Sequence, residues 1–183
     1  MNRKKTIALI LLMAAQTASA QFYSLRTNLP GDATLNLNAE LGMTVNRRWS
    51  LHFPVQVNPF VYNKATYENR KFRNLTFEPG ARYWFAESYN RGFVGVMGIA
   101  SRFDICHIWD RYRYDGHAFG LGATLGYAIP IGKRWNMEFE AGPGLVYADY
   151  NKYVCKHCGR RLGRRNGLYL IPARINLGIV YLF

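Results

Sequence analysis

The sequence predicts an all-β fold: an eight-stranded, antiparallel, up-and-down transmembrane β-barrel behind a signal peptide. Three observations predict it. First, the last eleven residues alternate strictly, with Ala173, Ile175, Leu177, Ile179, Tyr181 and Phe183 on one face and Arg174, Asn176 and Gly178 on the other. A run of this length, aromatic at its end, suits a strand tilted across a bilayer, which needs roughly 9–11 residues. Second, residues 1–20 carry a basic head (Arg3, Lys4, Lys5), an apolar run from Ile7 to Ala15 and the small-residue end Ala18-Ser19-Ala20. That is the pattern of a secretory leader, and the run is too short to cross a membrane as a helix. Gln21 stands where a lipid-anchored protein would need cysteine. Third, tight and long connections alternate along the rest of the chain, residues 21–183, which form one barrel domain.

Eight alternating segments follow in order. Leu25 to Pro30 is the first. Asn36 to Val45 sets Leu37, Ala39, Leu41, Met43 and Val45 against Asn36, Asn38, Glu40, Gly42 and Thr44. Trp49 to Tyr62 sets Leu51, Phe53, Val55 and Val57 against Ser50, His52, Gln56 and Asn58. Leu75 to Phe85 sets Phe77, Ala81, Tyr83 and Phe85 against Thr76, Glu78, Gly80 and Arg82. Phe93 to Ile105 places Ser101 and Phe103 outward and Arg102 and Asp104 inward. Ala118 to Ile129 turns Phe119, Leu121, Ala123, Leu125 and Tyr127 to lipid and Gly120, Gly122, Thr124 and Gly126 inward. Trp135 to Tyr147 opposes Met137, Phe139, Ala141 and Leu145 to Asn136, Glu138, Glu140 and Gly142. Leu168 to Phe183 is the last. The period is two throughout, which is the strand signal and not the helical one.

Between them, Asn46–Arg48, Glu87–Arg91 and Gly132–Arg134 are tight, whereas Asn63–Asn74, Cys106–His117 and Asp149–Gly167 are long. Short periplasmic turns and long outer loops are what an even-stranded outer-membrane barrel requires. Closure also removes the strand edges that hydrocarbon cannot hydrate. Asn46-Arg47-Arg48-Trp49 and Gly132-Lys133-Arg134-Trp135 repeat one device, a turn, a cationic pair and a tryptophan. It suits a membrane interface and is equally a generic hairpin turn.

The formal charge is +13, and loss of Arg3, Lys4 and Lys5 with the leader leaves +10. The inward positions hold Arg26, Arg82, Arg102 and Arg174 against Glu40, Glu78, Glu138, Glu140 and Asp104. An eight-stranded barrel has room inside only for side chains, and buried charges must pair, so the expected interior is a salt-bridged plug and not a pore. The surplus cations lie in the long connections: Lys64, Arg70, Lys71 and Arg73 in one, Lys152, Lys156, Arg160, Arg161, Arg164 and Arg165 in another. They suit the phosphates of an anionic lipid such as lipopolysaccharide, or form a solvated charged loop. Tyr62, Tyr67, Trp109, Tyr112, Tyr114 and Tyr153 add an aromatic contact surface. Nucleic acid is not an expected partner of a secreted barrel, basic as it is.

Three cysteines remain to be explained. Cys155-Lys156-His157-Cys158 is a CxxC knuckle, and Cys106-His107 sits in another long connection. Cys106, His107, Cys155, His157 and Cys158 offer the soft ligands of a structural zinc site, which needs about four. A Cys155–Cys158 disulfide and unlinked thiols are the alternatives. An enzyme on this scaffold would work on lipid at the outer rim, with His107, Asp110, His117 and Asp149 as candidate groups, but the chain has neither a GxSxG nor an HExxH pattern. The expected role is therefore non-enzymatic. A lipid A-modifying enzyme and a small pore are the alternatives.

Leu25-Arg26-Thr27-Asn28-Leu29, Gly80-Ala81-Arg82-Tyr83-Trp84, Gly132-Lys133-Arg134-Trp135-Asn136, the stretch from Asp149 to Gly159 and the Tyr181-Leu182-Phe183 end together resemble a family of small outer-membrane barrels of Gram-negative bacteria, domain of unknown function 3575. The terminal aromatic also resembles the C-terminal signal of such barrels. The resemblance implies a relative of the OmpX/OmpA-type barrels, integral to the cell outer membrane, and a monomer is the expected state. It implies no catalytic residues, and it implies a role beside surface-appendage proteins. The sequence thus leads to the expectation of an outer-membrane anchor whose basic, aromatic outer loops make the contacts.

Overall fold

The computed structural model describes residues 23–62, 70–106, 112–154 and 160–183. The expected leader lies outside them. The elements are β1 (Tyr23–Asn28), a single helical turn α1 (Leu29–Ala33), β2 (Leu37–Asn46), β3 (Trp49–Asn58), β4 (Val61–Tyr62), β5 (Arg70–Phe77), β6 (Gly80–Trp84), β7 (Arg91–Cys106), β8 (Tyr112–Pro130), β9 (Trp135–Val154) and β10 (Arg161–Leu182).

Every pairing is antiparallel. β1 joins β2, β2 joins β3, β3 joins β5 and β6, these join β7, the run continues through β8 and β9 to β10, and β1 joins β10, so the sheet closes on itself. β5 and β6 share one position in the ring. Both pair with β3 on one side and β7 on the other, and the register is unchanged across the gap: Phe77 faces Ala100 and Gly80 faces Met97. They are one strand interrupted at Pro79, which has no N–H to give a ladder. β4 pairs with β5, its one partner among the described residues. The ring therefore has eight positions. At its seam, Tyr23 N–H donates to Phe183 O (3.2 Å) and Phe183 N–H donates to Tyr23 O (3.0 Å).

The alternation read from the sequence is inverted relative to a water-soluble barrel. Leu41, Phe53, Leu121, Leu125, Phe139 and Ile175 are exposed, while Glu40, His52, Arg82, Glu138 and Arg174 are buried. The register lines the outward apolar residues up across strands, as in Val57–Leu75, Ala100–Phe119, Phe119–Tyr147 and Tyr147–Leu168. The ring thus wears a continuous apolar belt. At the short-turn end the belt finishes in aromatic pairs: Trp49 with Tyr83 (5.3 Å between ring centroids), Trp135 with Tyr181 (4.9 Å) and Tyr23 with Phe183 (6.3 Å).

The structure corrects several expectations. β7 faces inward at Phe93, Met97 and Ile99, so the same parity turns Ser101 and Phe103 inward and Arg102 and Asp104 outward. Ser101 shares a hydrogen bond with Thr76 (2.8 Å), and Asp104 joins Lys71 and Arg113. Ala173 is also inward, because the register slips between Pro172 and Arg174 and a bulge sets two successive side chains on one side. The long connections are shorter than expected. Arg73, Lys152, Arg161, Arg164 and Arg165 stand on strands that continue past the belt.

Candidate functional site

The interior divides into a floor, an ionic belt and a cup. The floor closes the short-turn end. Trp84 and Phe93 are fully buried with ring centroids 4.5 Å apart. Tyr89, from the β6–β7 turn, packs on Trp84 at 5.3 Å. Tyr89 adopts φ 65°, a left-handed conformation that costs a bulky residue energy and persists only when the surroundings hold it. Here Ser24 donates to its hydroxyl (2.9 Å) and Asn136 Nδ2 to its carbonyl (2.6 Å). Gly126 makes room for Phe93, whose Cε1 would lie 2.7 Å from an added Cβ. Sequence reading placed Tyr89 only within the tight connection Glu87–Arg91; its only signal was an aromatic in an otherwise polar loop.

Above the floor lies the ionic belt. Arg26 donates to Glu40 (2.5 Å), Glu138 (2.7 Å) and Glu140 (2.9 Å). Arg82 reaches Glu140 (2.6 Å) and Glu40 (3.0 Å). Arg174 reaches Glu78 (3.0 Å), Glu140 (3.0 Å) and Glu40. His52 Nδ1 pairs with Glu40 at 2.9 Å, and Trp84 Nε1 donates to Ser50, which pairs with His52 Nε2. Three guanidiniums thus face four carboxylates and an imidazole, all but excluded from water. The expected plug is present, with Arg102 and Asp104 removed from it. Shared contacts pair charges whose isolated burial would cost several kcal/mol each, and leave Arg26 Nε and Glu138 Oε1 without a hydrogen-bond partner among the described residues.

Towards the long-loop end the interior opens into a cup. Its lining is apolar on the β7–β10 side (Ile99, Phe103, Ala118, Val146, Ile171) and polar on the β2–β5 side (Asn36, Gln56, Asn74, Thr76, Glu78). The cavity measures about 580 Å³.

Outside, just above the apolar belt, charges form a collar. Asp104 accepts from Arg113 (2.7 Å) and from Lys71. Burial alone would raise its carboxyl, but these two hydrogen bonds outweigh it and hold it below the usual carboxylate range. Asp149 is likewise lowered, by its hydrogen bonds from Arg164. Arg161 donates to Asn151 (2.6 Å), and Lys152 lies 3.6 Å from the centroid of Tyr112. Arg73 and Arg102 are exposed and make no ion pair among the described residues. With Lys71 and Arg113 they line a groove of about 490 Å³ that also holds Leu75 and Phe103. Arg160, just before β10, and Arg165, on β10, are exposed elsewhere on the rim. Lys64 and Lys156 lie outside the described residues, and Arg70 opens β5 opposite Tyr62. His117 faces Asp149 across the β8–β9 ladder; His107 and Asp110 lie outside the described residues.

Cys106 is disulfide-bonded. A sulfur held in a disulfide has no thiolate to offer a metal, so the expected zinc set loses that member. His107, Cys155, His157 and Cys158, and with them the expected Cys155–Cys158 pairing, lie outside the described residues. No group of three His, Cys, Asp or Glu side chains poised for a metal occurs among the described residues.

Searches of curated proteins and of solved structures return no match to this chain. A family model, described as protein of unknown function (DUF3575), matches residues 6–183. The match takes in every strand of the ring, and the chain belongs to that family of unknown function.

Proposed function

We propose that this chain is an integral outer-membrane protein: a sealed, non-enzymatic barrel that anchors a basic, aromatic contact surface at the cell exterior. The observation that carries the reading is the inverted pattern of the ring. Leu170 is 75% exposed, Leu121 73% and Leu125 66%, while Glu138 is 0% exposed. In water the outward belt would be an aggregation hazard, since apolar patches beyond a few hundred Å² are rare on soluble proteins. In lipid it is the required surface, and a closed ring is the only sheet whose backbone is satisfied there. The aromatic pairs at Trp49, Trp135 and Tyr181 then sit at the inner interface. The floor and ionic belt fill the interior below the cup with buried side chains, which favours an anchor over a pore.

The collar supplies the contact chemistry. Arg73 and Arg102 stand directly above Leu75 and Phe119, where lipid phosphates would meet hydrocarbon, and they are free to bind lipopolysaccharide phosphate. A surface-appendage protein is the further partner this reading admits.

The test is gel migration of the mature protein from an outer-membrane fraction, with and without boiling in SDS. A heat-dependent shift is expected, because a ring with every strand paired resists SDS until heated. Recovery in the soluble periplasm with no shift would sink the reading.

A further inference from the structure

The cup is not accounted for by an anchor with a sealed interior. Its volume, about 580 Å³, falls in the range of sites that hold small organic ligands, roughly 300–1,000 Å³. Its depth is set by the strands that build it. Inward Ala118, Val146, Ala148 and Ile171 alternate with outward Phe119, Leu145, Tyr147 and Leu170, so the cup lies level with the upper half of the apolar belt. On the membrane reading, on which this inference rests, that is the depth of outer-leaflet hydrocarbon.

The wall of the cup also has a window. β1 ends at Asn28, opposite Gly178. Asn28 extends the seam by one side chain, with its amide contacting Ile175 O and Leu177 N at 3.4 Å each. Beyond Ile175, β10 pairs with β9 alone, and no described strand lies between β10 and β2 there. Among the described residues, the turn α1 lies over the gap. Unpaired backbone at membrane depth is tolerated where it lines a cavity, and Pro172, at this edge, has no N–H to leave unsatisfied. Asn36, Gln56, Pro172 and Ala173 line the cup on both sides of the window. On its polar wall, Asn36 Oδ1 and Asn74 Oδ1 are buried with no hydrogen-bond partner among the described residues.

We propose that the cup binds the hydrocarbon chain of an outer-leaflet lipid, which enters sideways through the window between β10 and β2. The apolar wall takes the chain. The ionic belt below stops the chain at Glu78 and Arg174, so the site measures chain length by its floor.

The full mature protein would be reconstituted in phosphatidylcholine vesicles containing phosphatidylcholine with a diazirine-tailed acyl chain, irradiated, and the adducts located by mass spectrometry. Adducts are expected both on outward Leu121 and Leu125 and on inward Ile99, Phe103 and Ile171. Absence of outward adducts would overturn the membrane reading itself. Outward adducts without inward ones would overturn this proposal alone. Ala148→Phe, which fills the cup from β9, is expected to lower inward labelling at least tenfold and leave outward labelling unchanged; undiminished inward labelling would overturn the site. Retention of the heat-dependent gel shift checks that the variant folds, and Ala118→Leu serves the same purpose if it does not. A soluble diazirine fatty acid distinguishes the route: inward labelling by it, but not by the phospholipid probe, would overturn the bilayer lipid as occupant and the window as its path.

Discussion

Arg26 touches three carboxylates from two strands, β2 and β9, and its removal shows what the ionic belt is worth. Arg26→Ala would leave Glu40, Glu138 and Glu140 short of one guanidinium in a site without water. The expected loss is about 3–5 kcal/mol, read as a lower midpoint of urea unfolding in lipid vesicles. An unchanged midpoint would mean that the belt is hydrated. The cysteines give a second check at this scale. The chain has three, and a disulfide at Cys106 uses two, so one thiol per chain is expected to react in denaturant without reductant and three after reduction. Three thiols before reduction would exclude the bond. Alternation in the sequence was enough to place Arg26, Arg82, Arg174 and their glutamates, because parity fixes a side chain's face once one member of a strand is assigned. It could not place Tyr89. That residue leaves the strand pattern, turns through a left-handed φ and seals the floor from a loop, and no periodicity encodes a turn.

At the scale of the element, β8 is the cleanest strand: glycine, alanine and threonine inward, large apolar residues outward. Small inward residues are what allow Phe93 from β7 and the β9 backbone to approach so closely. Leu125→Arg, at the middle of its outward face, is expected to cost about 2–4 kcal/mol in a bilayer and little in a soluble barrel; the vesicle unfolding midpoint reads the difference. The β7–β8 hairpin end makes a different prediction. The Asp104 carboxyl is held below its usual range, and a lowered carboxylate stabilises above its unfolded value of roughly 3.9. That contribution disappears as pH falls through the folded value. Hydrogen exchange at the hairpin end, corrected for intrinsic rate, should therefore be flat between pH 5 and 8 and accelerate below about 4. Asp104→Asn should remove the transition. The sequence misplaced Asp104 because β7 reads as apolar on both faces from Phe93 to Ala100, so its parity was taken from the wrong partner. Pro172 hid the inward Ala173 in the same way, since a bulge breaks the period that the reading depends on.

For the whole molecule, the closed ring and its belt were legible because each of eight segments repeats the same alternation. The cup and its window were not. They arise where strands of unequal length, six residues in β1 against 22 in β10, meet around a closed sheet, and that mismatch exists only once pairing is fixed. The surplus of cations was legible as composition; its arrangement as a collar was not, because the register that brings Arg73 beside Asp104 joins residues far apart in the chain.

The seam between Tyr23 and Phe183 has a kinetic meaning. The contact that completes the ring joins the first described residue to the last, so no amino-terminal portion of the chain can reach the closed state while residue 183 is still missing. Loop closure over such a separation is slow, and until it happens β1 and β10 each present an unpaired edge beside an apolar face. The chain must therefore be kept from associating with its own copies during that interval. On the membrane reading proposed above, a lipid surface that brings the two ends together would shorten that interval.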